Sequence, residues 1–507
     1  MAAENFGKEY KDIFELDGVP PFREFYNLAI FPAKYVYRGF YNAWHTVPAP
    51  TIKDAFATRT LFRLGMAKAV CAELAGLIWS EGADIHITTG KDDTLERWVL
   101  GVLEKNAFTE KMQELIEQGA ALGGAALKEY VKVNENDPTD KRIMLDYCMA
   151  DQFVPTSWDN AKVNEAVFVS RKAKDGYYYT RLEWHKWNGE TYVITNDLFR
   201  SEIKKGEQDI LGYRYPLDAI EPNLQPETEI NGLNESLFAY FRTPVANNID
   251  DNSPLGISIY GNAFDTLHAL DICYDSFVRE FRLGKKRIIV PAAAVRTVVD
   301  PETGLTRRYF DANDEAFEAL ATDDPDTLRV QDNSMVLRVE EHVSAMNAYL
   351  SILCLQLGFS SGTFTFDMAQ GLRTATEIIS ENSKTYKTIR TFQNMIKPAI
   401  ERICRNIIDL GKLYDMEFEG KKISSLANKY ELTVTMEDAV LEDSSTRIDR
   451  AIKLVTNGFI SKQTAMTDPK YGLGMTEEEA QQEREKIRGE QNVTPAAFDV
   501  FQSGTLE

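Results

Sequence analysis

Apolar positions along the chain change period several times, and each change predicts an element. Residues 55–80 place Leu61, Leu64, Ala67, Val70, Leu74, Leu77 and Ile78 near a 3.6-residue period, which predicts a helix. A second helix is predicted over 93–118, ending near Gly119. From about 125 to 245 the period falls to 2. Residues 167–169, 177–184 and 192–195 read as strands, and Asp175-Gly176 and Asn188-Gly189 between them are hairpin signals. A polar linker at 222–226 and a strand at 237–242 follow. Helical spacing returns over 255–283, with Ser253 as N-cap and Pro254 as first helical residue. Ile257, Tyr260, Phe264, Leu267, Tyr274, Val278 and Phe281 make its apolar face, broken at Asp271 and widened by Leu270 and Phe277. Gly284 stops it.

Residues 285–338 read as a small α/β insertion. It holds strands at 288–290 and 293–299, a turn at 300–304, and an acidic run from Asp311 to Asp326. Val339, Val343, Met346, Leu350, Leu353 and Leu357 then predict a helix over 339–357, ended by Gly358. Residues 359–372 form a polar loop carrying Phe364, Phe366 and Met368, longer than the usual helix–helix connection of about 2–8 residues. Thr374-Ala-Thr-Glu377 is a capping box opening a helix to about 414, roughly 60 Å long, with Pro398 inside it as a predicted kink. A hairpin over 413–436 and short helices at 449–457, 461–467 and 476–488 complete the chain. The first 50 residues are rich in rings and prolines. They read as an extended or short-helical arm that needs another surface to cover its aromatics.

Composition narrows the function. The chain has 507 residues, enough for about three domains and a large core. Its net charge of −21 argues against gripping nucleic acid by neutralising phosphates, and against adsorption to an anionic membrane. The start lacks the basic stretch and apolar run of a secretory leader, and no window holds about 18 uncharged apolar residues. Five widely spaced cysteines with no CxxC indicate neither zinc ribbon nor disulfide framework; they read as buried thiols of a reducing compartment.

Catalytic patterns are missing. No two of the five histidines lie four residues apart, which excludes an HExxH-type zinc site. Gly256-Ile-Ser-Ile-Tyr-Gly261 has its second glycine one residue late for a nucleophile elbow. No phosphate-binding GxxxxGK[ST] occurs. No catalytic residue, cofactor site or metal site is expected. The cluster Arg279, Arg282, Lys285, Lys286 and Arg287 has two readings: cations complementing a helix C-terminus, or a positive ring where several copies meet. The helices over 257–281 and 339–357 flank one insertion and are apolar over a wide arc. They read as ordinary core, or as a stalk whose sides are covered by neighbouring copies.

The ordered set of Ser253-Pro-Leu-Gly256 and its helix, Phe281-Arg-Leu-Gly-Lys-Lys-Arg-Ile-Ile-Val-Pro291, Thr374-Ala-Thr-Glu-Ile378 and Gly458-Phe-Ile-Ser461 resembles the portal proteins, or head-to-tail connectors, of tailed double-stranded-DNA phages. It is most similar to the type found in long-tailed phages of Gram-positive hosts. The order of elements matches over about 250 to 470; the first 245 residues match only as a helix pair followed by sheet. The resemblance implies an α+β fold, mainly helical, with an antiparallel β-rich wing (1–254). It further implies stem helices (255–284 and 339–358), a clip (285–338), a tunnel loop (359–372), a long kinked helix with wing (373–440) and a crown (441–507).

It also implies a ring of about twelve subunits at one capsid vertex. Double-stranded DNA would pass through the axis without sequence specificity. The terminase packaging motor, a head-completion adaptor, and the major capsid and scaffolding proteins would be partners. The ATPase belongs to the motor, in keeping with the missing phosphate loop. Location would be the virion, with assembly in the host cytoplasm. Ser360, Ser361, Thr363, Phe364, Thr365, Phe366, Asp367, Met368 and Gln370 would face DNA from the tunnel loop. An acidic lining suits a conduit, because it repels a duplex that carries one charge per about 1.7 Å. Two other readings stand beside this one: an acidic capsid-associated adaptor or scaffold that never encloses DNA, and a hydrolase using a carboxylate pair.

Overall fold

The computed structural model describes residues 13–39, 45–51, 53–80, 82–89, 92–134, 137–160, 162–203, 211–284, 288–289, 296–299, 306–309, 331–332, 336–366, 375–436, 444–467, 480–481 and 483–487. The chain divides into two compact units. One spans 1–370 and 382–437, the other 371–381 and 438–507. The fold is α+β, with helices and antiparallel sheets.

The first unit begins with α1 (Arg23–Phe25), a π-helical turn (Tyr26–Ile30) and α2 (Phe31–Arg38). Their rings are covered by the chain itself, contrary to the expectation of a partner surface. Phe25, Tyr26 and Phe31 are fully buried, Tyr26 Oη donates to the carbonyl of Phe153, and Tyr260 Oη donates to that of Ala33 at 2.9 Å. Arm residues 1–12 lie outside the described residues. Strands β1 (Thr46–Pro48) and β2 (Thr58–Thr60) pair as a hairpin. The helix expected over 55–80 is therefore shorter: α3 runs Met66–Ile78, after Gly65 in the left-handed region.

Strand β3 (Asp84–Thr88) leads to α4 (Thr94–Lys105) and α5 (Phe108–Leu122). These replace the single helix expected over 93–118. The break falls at Asn106-Ala107, where Asn106 leaves the helical path to serve a sheet edge. Its amide oxygen accepts from Leu145 N at 3.0 Å and its amide nitrogen donates to Ile143 O at 3.0 Å. Apolar spacing resumes after the break (Phe108, Met112, Leu115), so the pattern alone reads as continuous.

Strands β4 (Gly124–Asn134) and β5 (Asp137–Met149) form a hairpin. Strands β6 (Phe153–Asp159), β7 (Lys162–Lys174), β8 (Tyr177–Asn188), β9 (Thr191–Glu202) and β10 (Tyr213–Tyr215) form the expected meander, and β11 (Glu227–Asn231) also pairs with β9. Asp175 and Gly176 make the two-residue turn joining β7 and β8, both at positive φ as a primed turn requires. The next turn sits one residue later than expected, at Gly189-Glu190. Strand β12 (Phe238–Arg242) pairs with β4, giving the order β12-β4-β5.

The helix expected from 255 starts at Phe264: α6 is Phe264–Leu283. Residues 253–263 are irregular and buried against the body instead. A Cβ on Gly256 would lie 2.2 Å from the Gly123 carbonyl, Ile259 N donates to Ala120 O at 3.1 Å, and Thr243 Oγ1 donates to Ile257 O at 2.6 Å. Ile257 and Tyr260, which fit the helical period, fill the body core.

The insertion contains β13 (Ile288–Ile289) paired with β16 (Gln331–Asp332), and β14 (Arg296–Val299) paired with β15 (Thr306–Tyr309). The turn at 300–304 and the acidic run 311–326 lie outside the described residues. Helix α7 (Val339–Leu357) ends at Gly358, in the left-handed region, as expected. Helix α8 (Ala375–Leu413) continues through Pro398. A small hairpin, β17 (Glu417–Phe418) and β18 (Lys421–Lys422), and α9 (Ile423–Leu426) precede β19 (Glu431–Thr435). β19 pairs with β3 of the N-terminal half, a long-range match that replaces part of the local hairpin expected over 413–436. One hydrophobic core runs through this unit from Ile13 to Met436, with a small satellite of Tyr179, Leu198 and Leu217.

The second unit contains α10 (Ser444–Thr456) and α11 (Lys462–Thr467). Residues 480–481 and 483–487 are also helical, inside the helix expected over 476–488.

Candidate functional site

Helices α6 and α7 pack against each other. The first half of α6 belongs to the body: Leu267 and Leu270 are buried, and so are Asp271 and Asp275. Burying a carboxylate is costly unless donors reach it, and the structure supplies donors to both. Arg59 donates to both Asp275 oxygens at 2.8 Å, and Phe62 N donates to Oδ1 at 3.2 Å. Leu64 N donates to Asp271 Oδ1 at 2.8 Å, and His45 Nε2 lies 2.9 Å from Oδ2. At Asp275 burial pushes the pKa up, but the Arg59 hydrogen bond, the Phe62 N–H and the nearby positive charge together outweigh it, and the group sits below its ordinary value. Asp271, which reads in sequence as a break in an apolar face, is thus a clasp for the segment 45–64. An acidic pair at i, i+4 on that face is the signal that could have revealed it.

The second half of α6 leaves the body. Phe281, Arg282, Leu283 and Arg279 are exposed, as are Val339, Ile352 and Leu355 on α7. The two helices are joined near the insertion by Arg338, which grips Glu280 through Nε at 3.1 Å and Nη2 at 2.9 Å. That fork pulls the Glu280 carboxyl down to about 2. The Phe277 and His342 rings meet at 5.8 Å. Of the basic cluster, Arg279 and Arg282 stand exposed on the last turns of α6; Lys285, Lys286 and Arg287 lie outside the described residues.

The loop after α7 has a fixed root. Ser360 is buried; its N donates to Thr385 Oγ1 at 2.9 Å, and Thr385 N donates to Ser360 Oγ at 3.3 Å. Thr388 Oγ1 donates to Gly358 O at 2.7 Å. Phe364 is half-buried, with its ring 5.4 Å from buried Phe359. Thr363 Oγ1 donates to Ser360 O at 2.8 Å. Ser361, Gly362, Thr365 and Phe366 are exposed, and Asn347 Oδ1 of α7 accepts from Phe366 N at 2.9 Å. Asp367, Met368 and Gln370 lie outside the described residues. Among the described residues of the loop, Ser361, Gly362, Thr365 and Phe366 are exposed to another molecule, while Ser360 and Phe364 anchor the loop.

The body core holds a buried polar set that spacing gives no hint of. Arg402 of α8 lies 3.1 Å from Glu235 and donates to Val163 O at 3.3 Å and Ser236 O at 3.4 Å. Asn406 donates to Ser236 O at 2.9 Å and to the fully buried Glu129 at 3.2 Å. Burial drives the Glu129 carboxyl well above its ordinary range, against the pull of Asn406 and Arg402. A cleft of about 190 Å³ on the sheet is lined by Lys128, Asp146, Arg181 and Glu183, whose charges offset one another at 2.8–3.4 Å. Ser258 is buried with its Oγ accepting from Tyr260 N, a turn role. Among the described residues no group of three or more His, Cys, Asp or Glu could hold a metal ion, and no helix is long and apolar enough to cross a membrane. All five cysteines are free; Cys71, Cys354 and Cys404 are buried as expected, whereas Cys148 and Cys273 are half-buried.

Two solved particles contain chains similar to this one. The neck of an empty GTA particle computed with C6 symmetry aligns at 12% identity with a TM-score of 0.38, over 78% of this chain and 87% of that one. The virion of the native gene transfer agent (GTA) particle aligns at 11% identity with a TM-score of 0.36, with the same coverage. No curated protein matches the chain. Residues 40–492 match the family described as "Phage portal protein, SPP1 Gp6-like". That span is most of the chain and takes in the body, the helix pair, the insertion and the long helix: the chain belongs to this family of phage portal proteins, and its role is that of a capsid portal.

Proposed function

We propose that the chain assembles as a ring of about twelve copies at one capsid vertex and conducts double-stranded DNA without reading its sequence. The parts are those the sequence suggests: wing 1–254, stem 255–284 and 339–358, clip 285–338, tunnel loop 359–372, long helix and wing 373–440, crown 441–507. The helical part of the first stem segment is α6. The terminase motor would dock during filling and a head-completion adaptor afterwards, with major capsid and scaffolding proteins around the ring. The chain would act without a catalytic site or cofactor, in the virion, after assembly in the host cytoplasm.

The observation that best supports this reading is the loop following α7. It is rooted by Ser360 and Thr385 in the body, yet it presents exposed Thr365 and Phe366 beside α7, where Asn347 Oδ1 accepts from Phe366 N. A rigid root with a bare tip suits contact with a moving duplex by shape. A net charge of −21 suits sliding better than gripping. Shortening 362–370 should leave rings intact and impair packaging or retention of DNA. Loss of rings would make the loop an assembly contact, and normal packaging would remove its role in the tunnel.

A further inference from the structure

An asparagine inside a long helix needs a reason, because its amide competes with the backbone and lowers helix propensity. Helix α7 carries one at Asn347, half-buried, near the middle of its 19 residues. The side chain acts outside the helix. Its Oδ1 accepts from Phe366 N at 2.9 Å, and Thr365 Oγ1 lies 3.4 Å from the same oxygen. Asn347 stands about three turns before the Gly358 stop, roughly 16 Å back along the axis. The chain that leaves α7 at Gly358 therefore doubles back beside it. Two kinds of contact hold this return. The root is fixed by buried groups, Ser360 against Thr385 and the Phe364 ring 5.4 Å from Phe359. Thr365 and Phe366 beyond it are exposed, and there the backbone is bonded to α7 through the Asn347 amide.

We infer that Asn347 is a positioning residue for this loop: it latches the Phe366 backbone to α7 and so sets the level along the helix at which the exposed Phe366 meets the duplex. The inference rests on the tunnel-loop reading above. A latch of this kind can yield. One such hydrogen bond shifts a local equilibrium by roughly two- to tenfold, enough to bias the loop and too little to lock it. In a ring, the same bond in every copy holds the Phe366 side chains at one height.

Full-length wild type, Asn347→Ala and Asn347→Asp are compared by native mass, thermal unfolding and amide exchange, and phage carrying Asn347→Ala is scored for DNA-filled particles. Asn347→Ala should form rings with its unfolding temperature unchanged. Exchange at the Phe366 amide should be about fivefold faster, exchange at Ser360 unchanged, and the fraction of filled particles lower. Asn347→Asp keeps an acceptor oxygen and should keep the slow exchange at Phe366. Unchanged exchange in Asn347→Ala, or fast exchange in Asn347→Asp, overturns the latch. A lowered unfolding temperature for Asn347→Ala would mark the side chain as internal packing, which also overturns it. Faster exchange with normal filling overturns the positioning role. Shortening 362–370 then separates the two readings: impaired filling leaves the tunnel loop standing without its latch, and normal filling removes the tunnel loop as well.

Discussion

The β-rich body and the α6–α7 pair cover their apolar residues in opposite ways. In the body, Phe153, Phe168 and Phe238 meet one another at 5.4–5.7 Å, and the N-terminal helices and α8 close over them. Even the polar groups there are enclosed: Asn406 bonds Glu129, and Arg402 and Asn406 both donate to the Ser236 carbonyl. In the helix pair, Leu267, Leu270, Met346, Leu350 and Leu353 are buried, but outer apolar positions are left open, with Leu355 68% and Leu283 56% exposed. A body of this kind is stable by itself. A two-helix projection with open apolar sides is stable chiefly when something packs beside it, and in the ring proposed above the neighbour is another copy.

That contrast can be broken in four places. The largest effect is expected inside the body. Arg402→Ala removes a buried guanidinium that donates to Val163 O and Ser236 O and pairs with half-buried Glu235, and should cost about 2–4 kcal/mol, read as a large fall in unfolding temperature with rings absent. A small loss would mean that the polar set contributes little to closing the body. Ser360→Ala removes the buried Oγ that accepts from Thr385 N, while Ser360 N still donates to Thr385 Oγ1, and should cost about 1 kcal/mol. It should also speed amide exchange in 359–366 while the body stays protected. Uniform protection would contradict a loop rooted at that point.

Glu129→Gln tests the buried carboxyl through pH. Its native pKa is raised, so the folded form binds the proton more tightly than the unfolded chain does. Its contribution is full below about pH 4.3 and declines as pH rises towards the native value. The wild type should therefore lose stability relative to Glu129→Gln between pH 5 and pH 8, measured as the difference in unfolding temperature. A constant difference would place the group in contact with water. The smallest effect on stability is expected from Ile352→Gln combined with Leu355→Gln. Unfolding should change by less than about 0.5 kcal/mol while assembly weakens clearly. Destabilisation matching that of Arg402→Ala would erase the distinction between the two regions.

Legibility in the sequence followed locality. Helix α7, helix α8 and the turn at Asp175-Gly176 depend on near neighbours, and period and turn chemistry give them within a residue or two; the meander strands are placed correctly but extend up to seven residues past the pattern at one end. Three of the misplaced boundaries are sites where a distant partner overrides the pattern. Asn106 serves β5, Gly256 lies against Gly123, and β19 pairs with β3. The candidate site divides the same way. The loop between α7 and α8 was visible as a long gap between a glycine stop and a capping box. The burial of Ser360 and the clasp of Asp271 and Asp275 on segment 45–64 depend on tertiary neighbours that no spacing records.

Assembly is the property on which the reading of the open helix pair stands. Purified full-length protein in physiological salt, weighed by native mass measurement and imaged in negative stain, tests it directly. The expected result is a ring with an axial hole and a mass near a whole multiple of 57.5 kDa, about 690 kDa for twelve copies. A monodisperse monomer at micromolar concentration would contradict it.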